Sequence, residues 1–408
     1  MNYRDYDPNK DKEAVHRLWQ EVGWEQPGNP EPMDYALKSA RVIVCDIDGQ
    51  PECMVYSWLG DIAYLDERLS FSGIASVATG LVARRRKLAG PLTAARVALD
   101  ALDGAEVCGL CMFEQGFYDR LGFGTGGYEH VVKVSPSSIK APVQARTPAR
   151  LDKTNWKEIF ESRLNRMRTH GTVSFNAPDE TRGRLHWGKA GMGFGYFDDA
   201  GNLSHHLWLY RANMERGPFR VWWFAYQNYE QFFELMALLK SFGDQVKSVV
   251  FLEPPAIQAQ DLISRPFHYR QLTDKSNFEN TILAYAYWQL RILDLFKCMR
   301  KTHLYGGGAK FNLILQDPID KFLNDDVKWR GISGDYVITL GEESDAEKGS
   351  KADLPVLKAS VGAFTRMWYG IKPATVLAAA DDLKGPRDLL VKLDRILCLP
   401  EPKIDWEF

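Results

Sequence analysis

The stretch from residue 71 to residue 102 constrains the fold more than any other. A predicted strand over 71–78 runs through Thr79 and Gly80 into Arg84-Arg85-Arg86-Lys87-Leu88-Ala89-Gly90. A helix follows at once, with Leu88, Leu92, Ala95, Leu99 and Leu102 along one stripe. Pro91 falls in its first turn, where a missing amide costs nothing. Strand, basic turn and helix in this order describe an anion cradle. The first helical amides have no partner, the helix dipole adds partial positive charge, and the guanidinium and ammonium groups add full charges. A pyrophosphate is the natural guest, and a solvated basic patch is the plain alternative.

Elements on either side extend this into an α/β unit. A short strand at 3–6 precedes a helix whose Val15, Leu18, Trp19 and Val22 share a face, and Gly23 stops it. The runs 41–47 and 52–56 flank Asp48-Gly49, so they form an antiparallel hairpin. A strand at 106–112, a short helix at 117–121 and a strand at 128–134 are expected to close the unit. A linker with Pro136, Ser137, Ser138 and Pro142 follows, and the segment after it loosely repeats the opening pattern, with Trp156, Ile159, Phe160, Leu164 and Met167 on one helical face. Further strands are expected at 193–197, 207–211, 219–226 and 248–252, with a helix at 229–242. This second copy lacks a basic Gly-rich turn. A third region from about residue 293 holds a helix at 293–300, strands at 310–316 and 335–340, a charged loop at 342–353, and two closing helices in LKASVGAFTRMWYG and KPATVLAAADDL. The expected division is 1–140, 141–292 and 293–408.

Length agrees, since 408 residues suit two to four domains. The 51 Lys and Arg against 53 Asp and Glu leave a formal charge of -2, so nothing global draws the chain to nucleic acid or an anionic membrane. Six scattered cysteines suit reduced, buried thiols, and no run approaches the ~18 apolar residues of a membrane span. A cytoplasmic protein, neither exported nor anchored, is expected. Cys108-x-x-Cys111 lies in a predicted strand without a second pair, which argues against a zinc or redox site. Adjacent His205 and His206 point to opposite faces of a strand and cannot easily grip one metal.

A strand followed by Arg-x-x-Gly-x-Gly/Ala at a helix start resembles the coenzyme A motif of the GCN5-related N-acetyltransferases. Arg84 and Ala89 match it, and Lys87 stands where that family usually has its first glycine. Over the whole chain the sequence resembles the Eis (enhanced intracellular survival) family, on RRRKLAG, FEQGFYDRLGFG at 113–124, YGIKPATVLAAADDL and the terminal Trp-Glu-Phe. That resemblance implies an α+β chain with two tandem acetyltransferase-like (GNAT) domains, of which only the first binds acetyl-CoA, followed by a sterol-carrier-like domain. It implies a homo-oligomer, the family's assembly being a hexamer.

The same resemblance implies acetyl-CoA along Val77, Ala78, Thr79, Arg84, Arg85, Arg86, Lys87, Leu88, Ala89 and Gly90, with Phe113 and Glu114 against it. It makes Tyr118 the general acid; from the residues alone, Tyr118 reads as a packed aromatic beside Phe117 and Phe123. It makes the carboxylate of Phe408 the base, where an arbitrary chain end would fray. The implied reaction is direct acetyl transfer to an amine, on a small molecule such as an aminoglycoside or on a lysine-containing acceptor. A cationic acceptor wants carboxylates and aromatic faces, and Trp24, Glu25 and Glu407 are the candidates. The rival is a non-catalytic lipid- or protein-binding carrier with a degenerate coenzyme site, and the residues leave it open.

Overall fold

The computed structural model describes residues 3–112, 114–187, 191–211, 217–264 and 280–408. The first stretch of chain gives β1 (Tyr3–Asp5), α1 (Lys12–Glu21), α2 (Glu31–Ser39), β2 (Arg41–Ile47), β3 (Gln50–Tyr64), β4 (Glu67–Thr79), α3 (Ala89–Leu102), β5 (Val107–Cys111), α4 (Gln115–Asp119) and β6 (Gly124–Thr125). The α1 stripe buries Val15, Leu18 and Trp19, and Gly23 beyond it takes φ +80°. Asp48 and Gly49 both have positive φ, as a two-residue hairpin turn matching the strand twist requires, and β2 pairs antiparallel with β3.

Two features of β4 shape the site. Opposite β3, Met54 faces Ala78 while Tyr56 faces Ala75, so Ser76 and Val77 bulge against a single residue. Ser76 takes φ +52°, and its hydroxyl accepts a hydrogen bond from the Trp19 indole. On its other edge β4 runs parallel to β5 only from Phe71 to Ile74, opposite Val107 to Leu110. Beyond Ile74 that edge of β4 is no longer paired with β5, and a cleft opens between the two strands.

The chain continues with β7 (Glu129–Val134), β8 (Ala149–Leu151), α5 (Trp156–Leu164), β9 (Val173–Phe175), α6 (Pro178–His186), β10 (Gly191–Phe197), β11 (Leu203–Arg211), β12 (Phe219–Ala225), α7 (Tyr229–Ser241), β13 (Val249–Leu252), β14 (Thr281–Tyr285) and β15 (Trp288–Ile292). The two sheets exchange strands. The strand expected to close the first unit, β7, instead pairs with β13 and β14 in a seven-stranded sheet ordered β14-β7-β13-β12-β11-β10-β8. Its place is taken by β15, inserted between β5 and β6 in the eight-stranded sheet β1-β2-β3-β4-β5-β15-β6, while β9 pairs with β3. Backbone pairing therefore ties the two units together.

The third region holds α8 (Leu295–Arg300), β16 (Ala309–Gln316), β17 (Gly334–Leu340), β18 (Asp345–Lys348), β19 (Val356–Ser360), α9 (Val361–Trp368), α10 (Ala374–Ala380), β20 (Leu383–Lys384) and α11 (Arg387–Ile396). Its sheet runs β18-β17-β16-β19-β20. The structure corrects three local expectations. The charged loop contains β18, because Asp345 to Lys348 pair with Tyr336 to Thr339. The first closing helix starts only at Val361, since the preceding residues form β19 and Ser360 caps the helix by accepting from the Ala363 amide. A further helix, α11, buries Leu389, Leu390, Leu393 and Ile396.

One hydrophobic core runs from the first sheet through Phe175 and Trp288 to Trp368 in the third region, and it takes in Trp406 and Phe408 from the chain end. A second core fills the opposite face of the first sheet, beneath α3, and a third lies between the seven-stranded sheet and α7. Among the described residues no helix is long and apolar enough to cross a membrane.

Candidate active site

The last residues of the chain turn back into the molecule and are held there at nearly every position. Lys403 pairs with Glu253 at 2.9 Å. Asp405 takes a fork from Arg166, Nε at 2.6 Å and Nη2 at 2.7 Å, and also accepts from the Val173 amide. Trp406 is buried, with the Arg163 guanidinium 3.6 Å from its ring centre and its indole N–H donating to Glu180 at 3.1 Å. Phe408 sets its ring edge-on against Phe71 and Phe175, at 5.4 and 5.3 Å between centroids. Gly73 of β4 makes that seat. A Cβ there would stand 2.6 Å from Phe175 Cζ and 2.9 Å from Phe408 Cδ2, closer than carbon atoms tolerate.

This anchoring brings the chain end to a cavity of about 320 Å³ between the splayed strands and α6. Tyr118, Phe408, Glu407, Trp24 and Val77 all line it, together with Tyr56, Trp58, Cys111, Glu180 and Arg184. Residues nearly 300 positions apart in sequence thus meet in one space. Tyr118 is half-buried, edge-on to Phe117 and Phe123. Burial, and then the Glu114 charge, pushes its phenol above the ordinary tyrosine range, so the hydroxyl keeps its proton. Cys111 touches the Phe408 main chain, yet burial pushes its thiol up to about 12, which rules it out as a ready nucleophile.

The basic turn stands above the cleft. Arg84, Arg85, Arg86 and Lys87 are all exposed, and among the described residues none of their side chains forms an ion pair or hydrogen bond. The amides of Arg84, Arg85, Lys87 and Leu88 have no partner among the described residues either. Arg85 and Lys87 take φ of +70° and +58°. Lys87 therefore adopts the left-handed backbone that a glycine would adopt freely, at a cost of about 1–2 kcal/mol. Leu88 caps α3, with Ala89 and Gly90 its first two residues. The helix of the second sheet differs, because Asn228 caps α7 by accepting from the Gln231 amide at 3.0 Å. One helix start presents free donors and the other is closed by its own side chain.

Other expected site residues fall as follows. Ala78 and Thr79 pair with Met54 and Cys53 on the β3 side, and their other edge faces the cleft. Glu114 is exposed and caps α4. Phe113 lies outside the described residues. Glu25 does not face the cavity: it is buried against α1, where its carboxylate binds His16 Nδ1 and accepts from Gln20 Nε2 at 2.8 Å. The pair splits: Trp24 lines the cavity, while Glu25 is held by His16 and Gln20 on α1.

Glu180 and Arg184 escaped the sequence reading. They sit four apart on α6, whose start carried a signal in Pro178 followed by Asp179 and Glu180. The helix packs closely on α2: a Cβ on Gly183 would come 2.8 Å from the Pro32 carbonyl, and Arg182 donates to the Tyr35 hydroxyl. Glu180 is buried and shared by Arg184 at 3.0 Å, Arg163 at 3.5 Å and the Trp406 indole. Burial works against the Arg184 charge, and Glu180 and Glu407 more than offset it. Arg184 also donates to the Glu407 carbonyl at 2.8 Å, while the Glu407 carboxylate accepts from the Trp222 indole at 3.1 Å.

The fold is that of the GCN5-related N-acetyltransferases in a tandem arrangement with a C-terminal domain, on the evidence of full-length structural matches. The chain is similar to a probable N-acyltransferase of unknown function from Enterococcus faecalis V583 (17% identity, TM-score 0.80, 100% of this chain and 99% of that one). It is similar over the full length of both chains to a GCN5-related N-acetyltransferase from Anabaena variabilis (15%, TM-score 0.80) and to Eis1 from Mycobacterium abscessus (13%, TM-score 0.77). No family model matches the sequence, and no curated protein matches it.

Proposed function

We propose that the chain is an acetyl-CoA-dependent N-acetyltransferase of the Eis type. One observation carries this reading: the Tyr118 phenol and the Phe408 chain end line a single cavity, which adjoins a parted β4–β5 edge and a basic turn with unused donors. The turn suits a pyrophosphate, and the free edge of β4 from Ala75 to Thr79 suits the amides of a pantetheine arm. Acetyl-CoA would supply the activated acyl thioester.

The chain's own groups then handle the protons. The Phe408 carboxylate takes a proton from the acceptor ammonium, freeing the nitrogen lone pair for the carbonyl carbon. As the C–N bond forms and the C–S bond breaks, the Tyr118 hydroxyl delivers its proton to the departing sulfur, and the second proton that the nitrogen sheds as it becomes an amide restores the phenol. Burial of the Phe408 ring holds the carboxylate in place, and the tail's ion pairs prevent fraying. The acceptor is an amine received among Trp24, Tyr56 and Trp58. For an aminoglycoside, with several ammonium groups, the described wall offers Glu407 and the chain end alone, since Glu180 is consumed by two arginines and an indole.

Calorimetry with acetyl-CoA, and thiol release over a panel of amines, test the proposal. Replacing Arg84 and Arg85 by Ala should weaken coenzyme binding by roughly 1–3 kcal/mol for each guanidinium–phosphate pair removed. Absence of thiol release with every amine, or unchanged affinity in the double variant, refutes it.

A further inference from the structure

A second cavity, about 610 Å³, opens beside the first and shares Arg184, Trp187 and Glu407 with it. Its character is different. The strands β12, β13 and β7 of the second sheet form its floor, with the indoles of Trp222 and Trp223 among the lining. Trp187, Tyr210 and Tyr285, all at least a third exposed, also line it, and exposed aromatic rings grouped in one concave patch are the kind of surface that receives a ligand.

Most charges on this wall are already matched. Arg163 and Arg184 share Glu180, and Asp405 is forked by Arg166. Among the cations of this lining, Arg220 is the exception. It is exposed on β12 across from Tyr210, and among the described residues it has neither an ion pair nor a hydrogen bond. The Tyr287 hydroxyl supplies an independent sign, being buried in the same lining with no hydrogen-bond partner. A buried hydroxyl left unpaired is unfavourable, and an incoming acceptor atom would supply the missing hydrogen bond. An unmatched guanidinium, an unpaired phenol and flat indole faces together describe a receptor for a carboxylate carried on a flat apolar body.

We propose that this cavity is a carboxylate-binding subsite of the acceptor site, in which Arg220 takes the anionic end of an amphoteric acceptor while the acceptor's amine reaches Phe408 through the narrower cavity. The inference rests on the transfer reading for the identity of the first cavity. It names a substrate class: compounds with a primary amine at one end of an apolar arm and a carboxylate beside an aromatic group at the other. Glu407 lies at the junction of the two cavities, where its carboxylate favours passage of the amine toward the chain end rather than the reverse orientation.

The test uses two probes, 5-aminopentanoyl-phenylalanine and the same compound ending in a carboxamide, titrated calorimetrically into the full chain saturated with coenzyme A. The carboxylate probe should bind about tenfold tighter or more. Arg220→Ala should bring it down to the level of the carboxamide, and Arg220→Lys should restore part of the difference. Equal binding of both probes, or a preference that survives Arg220→Ala, overturns the subsite. Thiol release from acetyl-CoA is read in parallel. Arg220-dependent binding with no thiol release from any amine upholds the subsite and sinks the transfer reading; thiol release from both probes without Arg220 dependence does the opposite.

Discussion

Trp406→Ala is the perturbation that separates anchoring of the chain end from folding of the molecule. Trp406 is 1% exposed, stacked by Arg163, edge-on to Phe175 at 6.1 Å and hydrogen-bonded to Glu180. Emptying such a site costs about 3–5 kcal/mol in a core, and the buried cation–π pairing with Arg163 is part of that figure. The cost falls on docking of the tail, because the first sheet, its hairpin and α3 are assembled without it. At 1.4 kcal/mol per factor of ten, the docking equilibrium shifts by roughly 10²- to 4 × 10³-fold toward the free tail. Turnover should fall toward that extent while acetyl-CoA affinity stays within twofold, and carboxypeptidase should now remove the last residues. Trp406→Phe keeps a ring between Arg163 and Phe175 and should lie between. A Trp406→Ala enzyme with normal turnover and a protease-resistant end refutes the anchoring argument.

Further expectations follow from the same geometry. Tyr118→Phe removes only the hydroxyl, so turnover should drop about 10²- to 10⁴-fold with coenzyme affinity nearly unchanged, and normal turnover would make Tyr118 a packing residue. Glu129 on β7 is buried, and burial pushes its carboxyl up to about 8, against the opposing Lys403 charge and a hydrogen bond from the Trp288 indole. Between the unfolded value near 4.5 and about 8, the folded chain holds the extra proton, so stability falls as pH rises through that window, by up to about 5 kcal/mol. Glu129→Gln should therefore raise the melting temperature at pH 8.5 and leave it unchanged at pH 4, and equal effects at both would refute the assignment. On the acid side, burial lowers His170 to about 4 and His206 to about 3. The unfolded chain takes these protons first, so melting temperature should decline from pH 6.5 to 4, and a His206→Gln variant should lose part of that slope.

What the sequence made legible was local. Asp48-Gly49 forms the two-residue turn its φ preferences dictate, the α1 stripe buries as spaced, and the strand, basic turn and α3 stand as read. Partner choice among strands was not legible. The segment Glu-His-Val-Val-Lys-Val marks β7 as a strand, yet nothing in it says whether β5 or β13 will be its neighbour, and β15 displaces it through pairing made about 160 residues later. The placing of Glu25 was illegible for a related reason: a carboxylate next to Trp24 looks available until His16 and Gln20, on the preceding helix, claim it. Glu180 and Arg184 look like surface charges on a polar helix, and their burial depends on a tail that arrives from the far end of the chain.

The chain end itself offers the most direct measurement. Two glycines appended after Phe408 convert its carboxylate to an amide, yet leave the ring free to pack on Phe71 and Phe175. Turnover of an amine acceptor at saturating acetyl-CoA should then fall by at least about 10²-fold, the usual worth of a positioned base, with calorimetric affinity for acetyl-CoA unaltered. An extended enzyme as fast as the natural one would contradict the account, because the Phe408 carboxylate would then have no part in taking the proton.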